Sequence, residues 1–246
     1  MGDSKGTAGT MTHRADAKYM LDDRGYSGKL IRGQNPALLM EKPVRDRITE
    51  SYYWKEQCFG LNEATLCDRA VELTFVGGTF GPQQRPSPFL CLAFKMLQLN
   101  LERDVVLEYL GNEDFKYLRA LAAFYVRLTF DPAEVYKTLE PLLADYRKLK
   151  RRTRTGFTVT YIDQFVDELL TKDRICATSL WKLSSRQQLE DLELLDERVS
   201  PLGGEIDEID ADELDVEAAE DVASPSSGGD VSEGVGVHEE EDGNTG

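Results

Sequence analysis

The stretch from Phe75 to Leu97, FVGGTFGPQQRPSPFLCLAFKML, constrains the fold of this chain more than any other. Its first part holds three closely spaced glycines, which favour a turn or a close approach of two backbones. Ser87 and Pro88 then have the pattern of a helix start, because serine can cap free N–H groups and proline has none to cap. Apolar residues follow on nearly every side, which is typical of a buried helix. The stretch therefore predicts a glycine loop leading into a central buried helix.

Further helix starts predict that most of the remaining chain is helical. Asn35-Pro36 and Asp131-Pro132 repeat the pattern of a capping residue followed by proline. Between them, apolar residues recur at spacings of three and four, as on one face of a helix. Pro43 and Pro141 are expected to split or kink the helices that contain them. We predict an all-α, compact multi-helix single domain with at most a minor β-hairpin near Phe157.

Charge divides the chain into a neutral part and an acidic part. The net charge is −16, yet residues 203–246 contain 16 acidic residues and no lysine or arginine. The preceding residues hold 29 acidic and 29 basic residues, so they are neutral as a group. We predict a flexible N-terminal segment at 1–33, a helical domain at 34–202 and a disordered acidic tail at 203–246.

The sequence offers little material for catalysis. Its two histidines, His13 and His238, both lie in the predicted tails, so the domain lacks the commonest general base. Asp163 and Asp167 are four apart on a predicted helix, a spacing more typical of a solvated face than of an active site. A phosphate loop would need Gly-Lys-Ser/Thr, whereas here proline follows Gly81. We predict no enzyme activity and no cofactor.

The cysteines do not suggest a metal site. None belongs to a CxxC pair, and no zinc-ligand spacing can be assembled with the two histidines. We expect four free, buried thiols: Cys58, Cys67, Cys91 and Cys176. The N-terminus lacks the apolar core of a secretory signal, and no apolar run is long enough for a membrane span, so we expect a reducing compartment.

Six basic residues within eight positions form the most concentrated charge of the domain. They are Arg147, Lys148, Lys150, Arg151, Arg152 and Arg154. Three interpretations stay open: charges of a solvated loop, a patch that contacts RNA phosphates, or a nuclear-import signal or site for an acidic partner. Phe157 and Tyr161 lie close by and could stack on bases.

A second candidate site is the aromatic cluster Tyr52, Tyr53 and Trp54. These side chains could simply pack in or beside the core. Alternatively, they could form a partner-binding hot spot, because tyrosine and tryptophan are enriched at such positions.

Several segments together resemble the pre-mRNA-splicing factor 38 family. FVGGTFG and PSPFLCLAFKMLQL look like its signature. Other segments match in the same order: NPALLMEK, RDRITESYYWKEQCFGL, NEDFKYLRALAAFYVRLT, LEPLLADYRKLK and IDQFVDELL. The resemblance covers about 34–202. Animal members carry a long Arg-Ser-rich tail after an acidic segment, whereas this sequence stops after the acidic segment.

The resemblance implies a nuclear, non-enzymatic spliceosome subunit with a helical protein-binding domain. Such proteins are needed to activate the precatalytic spliceosome around the tri-snRNP. Implied partners are a zinc-finger spliceosomal protein and the microfibrillar-associated protein 1 homologue, with no membrane. The alternative is a module that contacts small nuclear RNA or pre-mRNA directly through residues 147–154.

Overall fold

The structure, a computed structural model, describes residue 26 and residues 28–198. The predicted flexible segment 1–33 is therefore described only at its end, and the predicted acidic tail 203–246 lies outside the described residues. No helix among the described residues is long and apolar enough to cross a membrane.

Helices make up most of the part of the chain that the structure describes. The α-helices are α1 (Lys42–Glu50), α2 (Glu63–Val71), α3 (Pro88–Leu99), α4 (Arg103–Gly111), α5 (Lys116–Thr129), α6 (Pro132–Leu139), α7 (Ile162–Thr171) and α8 (Arg186–Asp191). Shorter turns are the 3-10 helices Pro36–Leu39 and Glu140–Ala144 and the π-helical turn Trp54–Cys58. The prediction was an all-α domain, and the structure confirms the helical part of it.

Helix α3 lies at the centre of the core, as its sequence predicts. All residues from Phe89 to Leu97 are buried. The Ser87 hydroxyl accepts a hydrogen bond from the Leu90 N–H at 3.1 Å, and it donates one to the Gly77 carbonyl at 2.6 Å. The helix packs against α1, α2, α5 and the 3-10 turn before α1. The glycine loop and the buried helix therefore form one packed unit.

The prediction of at most one minor β-hairpin was wrong. The structure contains strands β1 (Val76–Gly77), β2 (Thr79–Phe80), β3 (Arg85–Pro86), β4 (Lys148–Arg152), β5 (Phe157–Tyr161), β6 (Arg174–Ile175) and β7 (Thr178–Ser179). Strands β1, β4 and β5 form a three-stranded sheet, and β2–β3 and β6–β7 form two small pairs. The fold is therefore mostly helical with small sheets.

The three-stranded sheet was not predicted because one of its strands, β1, has only two residues. Val76 pairs with Arg151 and Gly77 with Arg152, in parallel. A strand this short shows no alternating pattern in the sequence. A Cβ on Gly77 would lie 2.9 Å from the Arg152 carbonyl oxygen, so the glycine allows the close parallel approach.

Capping residues and prolines mark several helix boundaries of the structure. Asn35 caps a 3-10 turn, and the next helix, α1, carries Pro43 in its first turn, so the proline splits the predicted helix. Helix α6 ends before Pro141 and a 3-10 turn follows. Asn62 and Thr65 cap each other at the start of α2. These boundaries follow from local capping chemistry, which is why the sequence shows them.

The last helix, α8, is short. Ser185 caps it, and the helix ends at Asp191. Leu192 is 65% exposed, whereas Leu189 and Leu195 are buried against Tyr136. The turn after Asp191 rotates Leu192 away from the core.

Among the described residues, four basic side chains donate hydrogen bonds to backbone carbonyls at the C-terminal ends of helices. Each donates to carbonyls that a helix terminus leaves free. At the end of α4, Arg119 donates to the carbonyls of Leu110, at 2.9 Å, and Gly111. Lys95 donates to the Phe59 carbonyl after the π-helical turn, and Arg127 donates to the Leu169 carbonyl in α7. Arg32 donates to the carbonyls of Leu128 and Phe130 at the end of α5. Lys95, Arg119 and Arg127 are buried. Because the residues before Gln34 supply Arg32, contacts with the helices begin upstream of the predicted boundary.

Candidate functional site

The basic run lies mainly on a strand, where its side chains alternate between two faces. In β4, Leu149 and Arg151 share the inner face, and Leu149 is fully buried. The register with β5 pairs Lys150 with Val159 and Arg152 with Phe157. Paired residues lie on the same side of a sheet, so these four side chains share the outer face. The run is therefore divided rather than presented as a single loop.

Two of the six basic residues are held by carboxylates. Arg147 contacts Asp145, with 2.8 Å from Nε to Oδ1, and Arg119 binds the same carboxylate at 2.8 Å. The hydrogen bonds from Arg147, with help from Arg119, lower the pKa of Asp145 to about 2. Arg151 pairs with Glu168 at 2.6 Å. The charges of Arg147 and Arg151 are therefore largely compensated within the domain.

The Glu168 carboxylate forms ion pairs with two cations, Arg151 and Lys172. Burial acts to raise the pKa of this carboxyl, but hydrogen bonds from Lys172 and Arg151 outweigh burial and the pKa is lowered. Glu168 therefore stays ionised and keeps Arg151 on the inner side of the sheet.

The other four basic residues have no carboxylate partner among the described residues. Lys150 and Arg152 lie over the Phe157 ring, with 4.2 and 4.4 Å to its centroid, and Arg152 also lies 4.7 Å from the Phe80 centroid. Phe157 is 45% exposed. We call the exposed side of β4 and β5, formed by Lys148, Lys150, Arg152, Phe157 and Val159, the outer sheet face. It combines uncompensated cations with exposed apolar surface.

A cavity of about 260 Å³ opens beside this face, and three arginines line it: Arg47, Arg154 and Arg174. Among the described residues that line it, the one carboxylate is that of Glu41, which accepts hydrogen bonds from Arg174 at 2.6 and 3.2 Å. We call this cavity the arginine cleft. Only Arg154 belongs to the basic run identified from the sequence, because Arg47 and Arg174 come from two distant segments.

The predicted aromatic cluster does not form a single patch. Trp54 is buried, with its ring centroid 5.2 Å from that of Phe94. Tyr53 is half-buried, and burial raises the pKa of its hydroxyl. Tyr52 is 83% exposed, and nearby in the chain Phe59 is 57% exposed. Trp54 therefore packs in the core, whereas the Tyr52 side chain is accessible to another molecule.

The glycine loop serves the packing of the domain. A Cβ on Gly78 would lie 2.3 Å from the Cys176 carbonyl carbon, so only glycine fits there without a backbone shift. The Gly81 N–H donates to the Arg154 carbonyl at 2.9 Å. These contacts match a close backbone approach, one of the two uses predicted for the glycines.

The cysteine thiols lie mostly inside the fold, away from solvent. All four cysteines are free; three are buried and Cys67 is half-buried. Burial raises the pKa of Cys91 and of Cys176 to about 12, which keeps both thiols protonated and unreactive. Among the described residues, no group of three or more potential ligands could hold a metal ion.

Comparison with known proteins identifies the class more closely. Residues 29–193 match the protein-family model described as the PRP38 family. The chain is 51% identical over 180 residues to pre-mRNA-splicing factor 38 of Schizosaccharomyces pombe, which covers 73% of this chain and 85% of the relative. It is 50% identical over 184 residues to pre-mRNA-splicing factor 38A of Danio rerio, which covers 74% of this chain and 59% of the relative. The chain belongs to the PRP38 family.

A solved structure has the same fold. One chain of the crystal structure of the Snu23-Prp38-MFAP1(217-258) complex of Chaetomium thermophilum is 59% identical, with a TM-score of 0.71, and the match covers 77% of this chain and 100% of that chain. The match to the Danio rerio protein, in contrast, spans less than two thirds of that relative.

Proposed function

We propose that this protein is a non-enzymatic spliceosome subunit that acts as a protein-interaction scaffold in pre-mRNA splicing. The observation that carries the proposal is the 59% identity to a chain crystallised in a Snu23-Prp38-MFAP1 complex. Membership of the PRP38 family supports the same assignment. The absence of a metal-ligand cluster from the described residues is compatible with it.

The proposed partners are this organism's counterparts of Snu23, as the zinc-finger spliceosomal protein, and of MFAP1. A helical domain suits this role, because grooves between helices can receive the apolar face of a partner helix. We place the protein in the nucleus, where the spliceosome works.

Tyr52 is our proposed hot spot for one of these partners. It stands beside the core, close to buried Trp54, and exposes most of its ring to solvent. Large aromatic side chains bury much area at little entropic cost, which is why tyrosine is common at hot spots. Phe59 extends the exposed apolar surface.

The test is pulldown of the two counterparts by the tagged full-length chain, followed by titration of each partner. We expect Tyr52→Asp to weaken one of them by about 30-fold, which corresponds to the roughly 2 kcal/mol that defines a hot spot. Tyr146→Asp is the matched control, since Tyr146 is also a highly exposed tyrosine. Failure of the parent chain to bind either counterpart would refute the scaffold proposal, and equal effects of the two variants would refute the role of Tyr52.

We further propose that the protein acts when the precatalytic spliceosome is activated around the tri-snRNP. Depletion of the protein from a splicing extract should then let complexes assemble but stall before activation, and the purified full-length chain should restore progress. A block before tri-snRNP joining, or normal activation after depletion, would contradict this timing.

A further inference from the structure

We propose that the arginine cleft and the outer sheet face together form a binding surface for single-stranded RNA. This activity is separate from the scaffold role, and it predicts that the isolated protein binds RNA without any partner.

The arginine cleft supplies the anion site. Three arginines face one carboxylate, so the lining carries a net charge of +2. Among the described residues, the side chains of Arg47 and Arg154 make no ion pair and no hydrogen bond. Their donors are therefore free for phosphate oxygens, which guanidinium groups bind in a bidentate manner. The cavity of about 260 Å³ leaves room for a phosphate with bridging waters, because a space of about 10–15 Å³ on the same measure holds one water.

Arg174 is the fixed part of this cleft. Its guanidinium donates to both oxygens of Glu41, to the Ser179 hydroxyl at 2.8 Å and to the Ala177 carbonyl at 2.9 Å. These bonds engage both terminal nitrogens of Arg174 and neutralise Glu41, the carboxylate among the described residues of the lining. A phosphate entering the cleft would consequently meet the unpaired guanidinium groups of Arg47 and Arg154 with little repulsion.

The cleft is continuous with the outer sheet face. Arg154 lines the cleft two residues after β4, and Thr79 and Gly81 line it on either side of Phe80. The Phe80 ring in turn lies under the Arg152 guanidinium of the sheet face. A strand of RNA could therefore pass from the cleft to the sheet without leaving cationic surface.

Exposed apolar groups on the sheet favour RNA over an acidic peptide. Phe157 packs edge-to-face on Phe75, with 5.4 Å between ring centroids, which fixes the ring while 45% of the residue stays exposed. Val159, next on the same face, is 67% exposed. Lys150 and Arg152 lie over this ring, and both are long, flexible side chains. When they swing onto neighbouring phosphates, the ring face becomes free to stack on a base. Binding of carboxylates alone would leave this apolar surface unused.

The test is fluorescence anisotropy with a labelled, unstructured 12-nucleotide RNA and the full-length protein, over a salt titration. We expect R47Q/R154Q to weaken binding and to reduce the steepness of log affinity against log salt by about 1.4, because each lost single-strand phosphate contact removes about 0.7. We expect Phe157→Ala to weaken binding roughly 5- to 150-fold, as for the loss of one stacked base, with an unchanged salt slope. Phe157→Leu, which keeps apolar bulk, should behave in the same way if stacking is the cause.

K137Q/K182Q is the matched control, because it removes the same charge from exposed lysines outside both surfaces. Its affinity and salt slope should stay at the parent values. Thermal melting of each variant checks that the domain is folded.

Three outcomes would overturn the proposal. The first is no RNA binding by the parent at low salt. The second is an equal loss in R47Q/R154Q and in K137Q/K182Q, which would indicate non-specific attraction. The third is unchanged RNA affinity in R47Q/R154Q together with loss of one acidic protein from a nuclear-extract pulldown, which would assign the cleft to a protein partner. None of these results depends on whether the Snu23 and MFAP1 counterparts bind.

Discussion

Basic side chains behave differently in the helical interior and on the sheet. In the interior, Arg119 and Arg127 are buried, and backbone carbonyls at helix ends accept their hydrogen bonds. On the outer sheet face, Lys148 and Lys150 have no carboxylate partner in the part of the chain that the structure describes, and they lie beside exposed apolar groups. The difference shows that the role of a cation depends on the acceptors nearby rather than on local charge density. Cations without acceptors are the ones available to bind another molecule.

The largest expected contrast comes from adding a negative charge to each region. Leu92→Asp places a carboxylate in α3, where the side chain of residue 92 is fully buried. An unpaired buried charge costs at least several kcal/mol, which is comparable with the total stability of a domain, about 5–15 kcal/mol. We expect loss of the cooperative thermal transition. Phe94→Asp should behave alike, whereas Val159→Asp on the outer sheet face should melt close to the parent. A folded Leu92→Asp protein would show that α3 is not at the core.

The next contrast removes one cation from each region. Arg127 donates to the carbonyls of Leu169 and Trp181, at 2.7 and 2.8 Å, and Arg127→Met would leave both without this donor. Each unsatisfied buried acceptor costs about 1–3 kcal/mol, so we expect a loss of about 2–4 kcal/mol in the free energy of unfolding by urea. Arg154→Met, in the exposed cleft, should change it by less than about 0.5 kcal/mol. Equal effects would refute the distinction between the two regions.

A smaller effect concerns pH at the border of the two regions. The folded-state pKa of Asp145 is about 2, below the value of about 3.9 in an unfolded chain. Its ion pairs with Arg147 and Arg119 therefore contribute stability above pH 4, and this contribution is lost as pH falls from about 4 to 2. We expect Asp145→Asn to cost about 1–2 kcal/mol at pH 7 and much less near pH 2, where about half of the Asp145 carboxyl is protonated, measured by urea unfolding. Asp68→Asn, at an exposed position, is the control, and a pH-independent cost in Asp145→Asn would exclude the ion pairs as its cause.

The smallest effect is expected on the outer sheet face itself. Lys150→Gln removes a cation–π contact with Phe157, worth about 0.5–1 kcal/mol at an exposed site. We therefore expect a change of less than about 1 kcal/mol in unfolding free energy. A much larger loss would mean that Lys150 is structural and would weaken its assignment to a binding surface.

The helical part of the fold is largely readable from the sequence because its signals are local. Caps such as Ser87 and Asn62 act within three residues of their partners, and the apolar run of α3 predicts burial directly. Lys95 is the exception inside that helix. Its burial depends on the Phe59 carbonyl 36 residues earlier, a distant acceptor that no local pattern reveals.

The binding surfaces were only partly predictable because they depend on contacts between distant segments of the chain. The concentration of charge at 147–154 marks a candidate site, but the compensation of Arg151 by Glu168 requires the packing of α7 against the sheet. The contribution of Arg47 and Arg174 to the cleft requires the whole tertiary fold. Of the aromatic cluster, the sequence could not tell which ring faces the core, because the π-helical turn changes the helical period at Trp54.

The short parallel strand β1 has a consequence for the order of folding. Hairpin β4–β5 is local and can form early, whereas β1 reaches β4 across about 75 residues of chain, from Val76 to Arg151. Contacts between distant segments close slowly, since the loop entropy is lost before the contact is gained. Gly78 must then fit against the backbone of Cys176, still further along the chain. We expect the glycine loop to dock last, after α3 to α7 have assembled, so that Gly78→Ala accelerates unfolding while leaving the refolding rate nearly unchanged.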